Sequence, residues 1–336
     1  MKNNYHLPKK VGILYSDVKR KYFPTKMQYI TERGAYSDAK IISGYLKKMG
    51  IQTALYPGNS NLPLTLKKNK PDLVINLVDS FKGNEFLASA VLGVLEMLEI
   101  PYTGAGLLGQ SLNYNKFLIK KIFVQNGIPV PNYQLFDRAN EPISSSLRFP
   151  LITKLNEIHG SVEITDDSVV ESESDLRRRL KYLINTYQQS VLVEEYVVGV
   201  EVTAVVLEGF KKKVYLGEVV INDNSVGKYK FKKFEYEWLE KYEGAVRYQK
   251  YQDKVLCEYA KKAFQILDMS DYGRFDVRID PSGRYFFLDA NTNPQLGPHN
   301  HDSPVGMVLH LYGVPFSETL RRILLNTMKQ WSGRQY

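Results

Sequence analysis

The sequence predicts a multidomain protein of mixed fold class, with an α/β domain first and α+β domains after it. The chain has 336 residues, which at roughly 100 to 200 residues per domain is too many for one simple core. In about the first hundred residues, strand-length apolar runs alternate with helical patterns, as is typical of a parallel sheet covered by helices. The last third instead contains strands that follow one another directly.

The first domain is predicted over residues 1–110 and has a Rossmann-like order of elements. Val11–Tyr15 is a short apolar run of strand length, and Ala35–Met49 carries apolar residues at helical spacing. Leu73–Val78 has the pattern of a second buried strand, and Asn84–Glu99 that of an apolar helix. Strand and helix therefore alternate twice, which indicates a parallel sheet with helices on its faces.

Beyond a boundary near residue 110, the family resemblance described below implies two further domains, over residues 111–188 and 189–336. The first of these begins with a helix over Tyr114–Gln125, which Gly127 and Pro129 end. The strands expected in both domains are short apolar runs: Leu151–Lys154, Ser190–Tyr196, Glu201–Leu207, Val214–Val220, Phe275–Ile279 and Arg284–Asp289. Helical patterns cover Ser174–Thr186, Lys254–Leu267 and Phe316–Thr327. These successive strands indicate the α+β class.

Composition and charge exclude several classes of protein. With 43% hydrophobic and 24% charged residues, the chain is ordinary for a globular protein and unlike a disordered or collagen-like one. No apolar run reaches the roughly 18 residues of a membrane span, and the N-terminus lacks the apolar block of a signal peptide. A cytoplasmic protein without membrane contact is therefore expected. The net charge of +9 comes from short, scattered basic runs without a recognisable binding motif, so no nucleic-acid partner is expected.

The strongest candidate site is a predicted hairpin near the end of the chain. Its first arm contains Arg274 and Asp276, and its second arm contains Asp289 and Asn291. Residues two apart on a strand face the same side, so these oxygen donors are expected to cluster. Carboxylate and amide oxygens are the ligands of Mg²⁺ that also holds nucleotide phosphates, and an arginine adds a positive charge for phosphoryl oxygens. Any one of these acids alone is better explained as a turn or strand-end residue, and only the combination favours a metal site.

The hairpin resembles the metal-binding hairpin of ATP-grasp ligases, especially the D-alanine:D-alanine ligase family. The similarity lies in FDVRID, a short turn and FLDANTNP, although the family has Glu where this chain has Asp289. Further similar segments follow the family's order along most of the chain: PDLVINL, GNEFLASAVLGVLEMLEIPYTGAG, NYNKFLIKKIFVQNGIPVP, FPLITK and VLVEEYVVGVE. The resemblance implies the ATP-grasp fold, in which ATP lies between two α+β domains that follow a pre-ATP-grasp domain.

The resemblance also implies a set of nucleotide-binding residues. Lys116 and Lys154 would reach the phosphates, and a loop containing Gly160 and Ser161 would cover them. The adenine and ribose would contact the hinge segment through four residues: Glu194, Glu195, Val197 and Glu201, the last as the ribose carboxylate. Each of these lysines and acids taken singly also fits a solvated helix or strand surface. The matches occur in the correct order, which makes chance a poor explanation.

Several departures from the family concern the substrate side. Glu163 stands where the phosphate-covering loop usually has Gly, and an acid there would repel phosphate unless it turns away. Gln295 replaces the Gly whose backbone amide faces the reacting acyl group. The serine that would hold a substrate carboxylate has no clean match, so Asn300 and Ser303 are both candidates.

Two further catalytic candidates accompany Arg274. Glu32 follows a longer insert, residues 16–30, and is the candidate acid for the amine of the first substrate. Lys241 is the best match for a third phosphate-side lysine within residues 228–241. This basic, aromatic stretch is expected to be a mobile active-site loop, with a plain solvated loop as the alternative.

The resemblance implies ATP-dependent ligation of a carboxylate to an amine through an acyl phosphate. The cofactors implied are ATP and two Mg²⁺ ions, which Mn²⁺ can replace, and the partners are amino-acid or peptide substrates. The oligomeric state stays open, with a homodimer among the alternatives. The departures favour a substrate pair other than two D-alanines. Two alternatives stay open: a true D-alanine:D-alanine ligase, and a nucleotide-binding protein that has lost turnover, which Glu163 and Gln295 motivate.

Overall fold

The computed structural model describes residues 6–209, 211–222 and 227–333. Its N-terminal elements are strands β1 (Lys10–Ser16), β2 (Gln52–Gly58) and β3 (Leu73–Leu77) and helices α1 (Lys26–Glu32), α2 (Ala35–Lys48), α3 (Leu62–Lys68) and α4 (Ala88–Met97). The strands form a parallel sheet in the order β2-β1-β3. The parallel α/β domain predicted from the sequence is thereby confirmed.

Two parts of this domain differ from the sequence prediction. The insert at residues 16–30 leads into α1, which begins where the side chain of Thr25 accepts a hydrogen bond from the backbone of Gln28 at 3.2 Å. Helix α4 begins at Ala88 rather than at Asn84, because Phe81 and Asn84 exchange two backbone hydrogen bonds in a turn before it. Phe86 lies before the helix and is exposed, whereas Val91, Leu92 and Leu95 of α4 are buried.

Apolar cores cover both faces of the parallel sheet. On one face, Ile13 and Ile75 pack against Ile42 and Leu46 of α2, and this core continues into the last domain of the chain. On the other face, Leu14 packs with side chains of α3 and α4. Burying each such aliphatic side chain stabilises the fold by roughly 1.5 to 3 kcal/mol. The N-terminal domain is therefore firmly attached to the part of the chain that carries the hairpin.

The central part of the chain contains an antiparallel sheet. Its elements are helices α5 (Leu107–Asn113), α6 (Lys116–Gln125) and α7 (Glu173–Tyr187) and strands β4 (Tyr133–Phe136), β5 (Leu151–Leu155), β6 (Val169–Val170) and β7 (Val191–Glu195). The strand order is β4-β7-β5-β6. Strand β7 lies inside this sheet, so the central unit extends to about Glu195, beyond the boundary predicted at residue 188.

The last part contains the largest sheet and the hairpin. Its elements are strands β8 (Val200–Leu207), β9 (Lys213–Ile221), β10 (Val246–Tyr251), β11 (Tyr272–Ile279) and β12 (Tyr285–Asn291) and helices α8 (Phe234–Trp238), α9 (Lys254–Ile266), α10 (Pro304–Leu311) and α11 (Phe316–Ser332). The strand order is β10-β9-β8-β11-β12, and every pairing is antiparallel. Within the residues described, no helix combines the length and apolar composition that crossing a bilayer requires.

Helix α6 packs on this last sheet and thereby approaches the hairpin. Its Ile119 and Phe123 share an apolar core with Phe275 of β11 and Phe287 of β12. The rings of Phe123 and Phe287 meet edge to face, with centroids 5.6 Å apart. The lysines of α6 are in this way held beside the hairpin.

Candidate active site

Two cavities lie where the three parts of the chain meet. The larger has a volume of about 520 Å³ and is lined by all three parts, whereas the smaller, of about 110 Å³, lies between the central and last parts. Five residues line both cavities: His159, Ser161, Lys232, Asp276 and Asp289. The two hairpin aspartates therefore stand at the junction between the cavities.

The hairpin brings its predicted ligands together. Strands β11 and β12 pair as the two arms of the predicted hairpin, and after a register shift between Asp276 and Val277, Asp276 lies opposite Asp289 and Arg274 lies opposite Asn291. Asp276 accepts a hydrogen bond from the Thr203 hydroxyl at 2.9 Å and forms a salt bridge of 3.1 Å with Arg274. Both carboxylates face the cavity junction, so a cation bound there would be shared by two strands.

The electrostatics of the junction favour an ionised Asp289. Burial alone would raise the pKa of this carboxyl, but the positive charges of Lys116, His159, Lys154 and Arg274 outweigh it and lower the pKa. Asn291 is buried, and its amide nitrogen has no hydrogen-bond partner among the described residues, so its amide is free to turn its oxygen toward a cation.

These donors fit Mg²⁺ held jointly with a substrate. No group of three or more His, Cys, Asp or Glu side chains in the described ranges forms a metal cage by itself. Mg²⁺ commonly takes only one or two carboxylates and completes its octahedral shell with phosphate oxygens and water. The two aspartates and the asparagine therefore suit a metal that arrives with a nucleotide.

A buried ion triad supports the lysines beside the junction. Glu194 is fully buried, and its two oxygens lie 2.7 Å from Lys120 Nζ and 2.6 Å from Lys154 Nζ. Burial would raise the pKa of Glu194, but the two lysines outweigh it and keep the carboxylate ionised with a lowered pKa. Glu194 does not line either cavity, so its direct contact with the nucleotide, implied by the resemblance, is not supported. It positions lysines instead.

Lys116 and Lys154 both line the smaller cavity, where the resemblance placed them. Lys116 Nζ donates to the carbonyl of Ile158 at 2.6 Å. Lys120, which the sequence analysis missed, donates to the Phe287 carbonyl at 2.7 Å. Its spacing of four residues from Lys116 places both on one helix face, so this signal was present in the sequence.

The smaller cavity continues into an apolar pocket. Its wall consists of aliphatic and aromatic side chains: Ile152, Leu155, Ile158, Val162, Ile164, Phe231 and Leu288. The backbones of Glu195 and Val197 border this pocket, and no hydrogen bond from the Val197 amide occurs within the described residues. A flat, partly apolar ring with edge acceptors, such as adenine, suits a pocket of this kind.

Glu201 lines the same pocket and is held by an arginine. Arg278 donates to Glu201 Oε2 at 3.1 Å and to the carbonyls of Val197 and Lys230, each at 2.6 Å. Arg278 lies two residues from Asp276 on β11, so the strand alternation could have identified it. Glu195 has a structural contact besides its place in the hinge segment, because its carboxylate accepts a hydrogen bond from the backbone N–H of Arg148 at 2.9 Å.

The loop after β5 reaches the cavity junction, but the acidic side chain of Glu163 in the same loop does not. Gly160 and Ser161 line the larger cavity, and Trp238 donates to the Gly160 carbonyl at 2.8 Å while Ser161 hydrogen-bonds Glu237. Gly160 has a φ of +70°, and a Cβ there would lie 3.0 Å from Thr31. The loop therefore requires glycine at this position.

Glu163 points away from the junction, which removes the repulsion considered from the sequence. Its carboxylate lies 2.9 Å from Arg179 and accepts hydrogen bonds from Tyr187 at 2.8 Å and Tyr182 at 3.0 Å. The side chain is buried against α7 and lines neither the larger nor the smaller cavity. The acid at this loop position is thus compatible with bound phosphate.

The lysine chosen from residues 228–241 requires a correction. Lys241 is exposed and lies beside the Tyr242 ring, and it lines neither cavity. Lys232 is buried, lines both cavities and forms a salt bridge of 2.9 Å with Glu237. Burial would lower the pKa of Lys232, but Glu237 and other acidic groups outweigh it and raise the pKa. The predicted loop folds over the site because Phe231 and Phe234 are buried.

The substrate candidates near residue 300 are also corrected. Ser303 is fully buried, donates to the Gln295 carbonyl at 2.8 Å and caps α10 by accepting the Gly306 amide at 3.3 Å. Asn300 is exposed and lines neither cavity. Gln295 does line the larger cavity, where its neighbours include His301 and Asp302.

Glu32 lies deep in the larger cavity at the end of α1. Its Oε2 accepts a hydrogen bond from Ser80 at 2.6 Å. Burial, followed by the nearby charges of Asp79 and Glu85, raises the pKa of Glu32 well above its usual range. Asp79 and Glu85 also line this cavity, and the sequence analysis did not identify them as site residues. The cavity wall contributed by the N-terminal domain is therefore acidic.

Comparison with known proteins gives relatives over most of the chain. A family model described as the D-ala D-ala ligase C-terminus matches residues 122–325. The D-alanine–D-alanine ligase of Carboxydothermus hydrogenoformans is 29% identical over 292 residues, which are 83% of this chain and 89% of that protein. The uncharacterized protein y4sG of Sinorhizobium fredii is 28% identical over 284 residues, 80% of this chain and 81% of its own length.

Solved structures show the same fold. The D-alanine–D-alanine ligase from Bacillus anthracis complexed with ATP matches with a TM-score of 0.73 and 18% identity, covering 96% of this chain and 99% of that one. The enzyme from Coxiella burnetii matches with a TM-score of 0.68 and 17% identity, covering 97% and 96%. The ATP-grasp fold predicted from the sequence is confirmed.

Proposed function

This chain belongs to the family described by the D-ala D-ala ligase C-terminus model, and we propose that it is an ATP-dependent ligase that joins a carboxylate to an amine. The observation that carries the proposal is the junction of the two cavities. There Asp276 and Asp289 face each other while Lys116, Lys154 and Lys232 approach from separate elements. Paired carboxylates beside several lysines suit a metal–triphosphate complex.

The smaller cavity is the proposed nucleotide site. The adenine would lie against its apolar wall, with the Val197 amide and the Glu195 carbonyl at the ring edge and Glu201 at the ribose hydroxyls. Asp276, Asp289 and Asn291 would hold Mg²⁺, which neutralises the phosphates and orients the γ-phosphoryl group. We propose two such ions, since two facing carboxylates can bridge a pair.

The chemistry then requires little beyond alignment. The carboxylate of the first substrate attacks the γ-phosphorus, an O–P bond forms, and the bond to ADP breaks. The amine of the second substrate attacks the acyl carbon of this acyl phosphate, a C–N bond forms, phosphate leaves, and the amine loses a proton to solvent. Arg274 and the lysines neutralise charge on the transferring phosphoryl oxygens, and Glu32 holds the ammonium of the first substrate.

Substrates of the amino-acid or peptide type follow from this arrangement. Gln295 places a side chain where the family has a glycine amide, so we propose that two D-alanines are a poor pair and that another pair is preferred. The alternative, a nucleotide-binding protein that has lost turnover, was motivated by Glu163 and Gln295. Glu163 does not support it, because its carboxylate is turned away from the junction and paired with Arg179.

The test is a screen of ATP consumption with D- and L-amino acids and dipeptides, followed by mass spectrometry of the products. Release of ADP together with an amide product of the expected mass supports the ligase. Binding of ATP without ADP release in any pool identifies a nucleotide-binding protein instead. Ligation of D-alanine alone with a kcat/KM of about 10⁴ M⁻¹s⁻¹ or more, typical of an enzyme with its own substrate, restores the ordinary family reaction.

A further inference from the structure

One wall of the larger cavity carries three acidic groups, of which the ligase mechanism uses only Glu32. We call Glu32, Asp79 and Glu85 the acidic wall; all three belong to the N-terminal domain and line this cavity. No Lys or Arg of the described N-terminal residues lines it with them. The acidic wall therefore faces the substrate space without a basic neighbour from its own domain.

The three carboxylates differ in what they already contact. Glu85 accepts hydrogen bonds from the backbone and ring nitrogens of His159, both at 3.0 Å. Glu32 is 4% exposed, and while its Oε2 accepts from Ser80, its buried Oε1 has no hydrogen-bond partner in the described structure. The carboxylate of Asp79 has neither a hydrogen bond nor a salt bridge with any described residue. Glu32 thus has one unsatisfied buried oxygen, and Asp79 presents an exposed carboxylate without a protein partner to the cavity.

Such an arrangement leaves carboxylate oxygens available to a cationic ligand. Asp79 is exposed and lines the cavity, where partial loss of hydration, followed by the charges of Glu85 and Asp38, raises the pKa of its carboxyl to about 7. Acids crowded together in this way repel one another, and a bound cation relieves that repulsion. Two other acids that line the larger cavity are already paired, Asp276 with Arg274 and Glu237 with Lys232.

Aromatic side chains add a second feature that suits a cation. The larger cavity is also lined by four aromatic residues: Tyr114, Tyr236, Trp238 and Tyr248. The negative faces of such rings attract ammonium and guanidinium groups. Tyr114 lies next to the acidic wall, since burial and then Asp79, Glu85 and Glu32 together raise the pKa of its phenol.

We propose that the first substrate is an amino acid with a second cationic group on its side chain, a diamino acid. Glu32 binds the α-ammonium group and Asp79 binds the side-chain ammonium group. A single ammonium is satisfied by Glu32 alone, so the unpaired Asp79 is the residue that selects the second charge. Glu85 adds negative charge near the site, but its carboxylate already accepts hydrogen bonds from His159. This inference rests on the proposed ligase function and specifies its substrate class.

The experiment compares amino acids that differ only in the second charge. Lysine, ornithine and 2,4-diaminobutyrate are each assayed against neutral norleucine or norvaline, in both enantiomers, with alanine as the amine acceptor and ADP release as the readout. We expect kcat/KM to be at least about tenfold higher for the diamino acids, the effect of roughly 1.4 kcal/mol. Asp79→Asn should remove this preference, so that kcat/KM for each diamino acid falls to that for its neutral counterpart.

A matched control separates a specific contact with Asp79 from the general effect of negative charge in the cavity. Glu243 lines the same cavity, and Glu243→Gln removes one charge there without touching the acidic wall. This variant should keep the preference for diamino acids. Equal loss of preference in both variants, or no preference in the wild-type protein, would overturn the proposal.

A binding measurement distinguishes this proposal from the ligase function. Calorimetry of lysine and norleucine binding is performed on the full chain with Mg²⁺ and a non-hydrolysable ATP analogue. Lysine binding that is tighter than norleucine binding and depends on Asp79 supports the diamino-acid site even when no ADP is released, and only the ligase proposal then fails. Binding that is indifferent to the second charge and to Asp79→Asn overturns the inference whatever the turnover.

Discussion

Acidic side chains are paired with basic side chains in the nucleotide half of the cleft, whereas two of the three acids of the acidic wall have no such partner. In the nucleotide half, Glu194 lies between two lysines and Glu201 contacts Arg278. On the acidic wall, Glu32 has an unpartnered buried oxygen, and the exposed carboxylate of Asp79 forms no salt bridge with a described residue. The difference teaches that the nucleotide half is organised before any ligand binds, whereas the acidic wall leaves carboxylate oxygens available to a ligand.

The acids of the two regions should also differ in how they affect the stability of the fold. A buried ion pair contributes little net stability but costs several kcal/mol when one partner is removed. An acid whose pKa is raised on folding costs stability once it ionises, and a neutral replacement relieves that cost. Substitutions in the two regions should therefore change stability in opposite directions.

The largest effect is expected from Glu194→Ala, in the paired region. The substitution leaves Lys120 and Lys154 without their shared counter-ion, which should lower the free energy of unfolding by about 3 to 5 kcal/mol. Urea denaturation followed by circular dichroism measures this loss. The control Glu258→Ala removes an exposed salt bridge with Lys261 and should cost less than about 1 kcal/mol. Similar losses for the two variants would contradict the structural role of the triad.

The next largest effect is expected from Asp289→Asn, at the junction. A neutral amide nearly conserves shape but loses the charge that binds Mg²⁺, so ATP turnover should fall about 100-fold or more, roughly 2.7 kcal/mol. ATPase rates over a Mg²⁺ titration measure this, and the melting temperature should change little. The variant Asp280→Asn changes an acid in the turn of the same hairpin, outside both cavities, and should keep its turnover. Unchanged Mg²⁺ dependence in Asp289→Asn would remove the metal assignment.

The hairpin was predictable because its geometry is local. Residues two apart on a strand share a face, which puts Arg274 with Asp276 and Asp289 with Asn291. Which residues of the two arms meet was not predictable, because a register shift between Asp276 and Val277 sets Asp276 opposite Asp289. Lys120 and Arg278 obey the same local periodicities and could have been found with them.

Other site residues depend on packing between distant segments. Lys232 enters the cavity because neighbouring phenylalanines bury the loop, and the composition of residues 228–241 cannot reveal which lysine points inward. Ser303 was a substrate candidate as a polar residue near the hairpin, but it caps α10, a helix that the sequence analysis did not predict. Glu163 turns away because α7 supplies Arg179 and two tyrosines. Contacts between remote elements decide all three outcomes.

A smaller effect distinguishes the two lysine candidates of the covering loop. Lys232→Met keeps the apolar stem but removes the charge at the junction, so the Kd for ATP should rise about tenfold, roughly 1.4 kcal/mol. Lys241→Met is the control and should leave the Kd unchanged, since Lys241 is exposed outside both cavities. Calorimetric titration with ATP analogues measures both. A weaker affinity only in Lys241→Met would restore the residue chosen from the sequence.

The smallest effect concerns stability on the acidic wall and has the opposite sign. The pKa of Asp79 is raised to about 7 by burial and then by Glu85 and Asp38, so this carboxyl holds its proton in the folded protein at a pH where the unfolded chain has lost it. The stability contributed by Asp79 therefore falls as pH rises from about 4 to about 7. Asp79→Asn removes this dependence, so its melting temperature should equal that of the wild-type protein near pH 4 and exceed it by about one degree above pH 7, since solvent screens the exposed Asp79.

Asp280→Asn should change the melting temperature in the opposite direction to Asp79→Asn. Hydrogen bonds from Ser282 and Arg284 lower the pKa of Asp280, so this acid stabilises the fold at neutral pH and loses that contribution only in strong acid. Thermal unfolding at several values between about pH 4 and about pH 8 should show Asp280→Asn below the wild-type protein and Asp79→Asn above it. A saturating diamino acid should cancel the gain of Asp79→Asn, because the bound ammonium neutralises Asp79 in the wild-type protein. A melting temperature for Asp79→Asn that lies below wild type at every pH would mean that Asp79 supports the fold, and the contrast between the two regions would disappear.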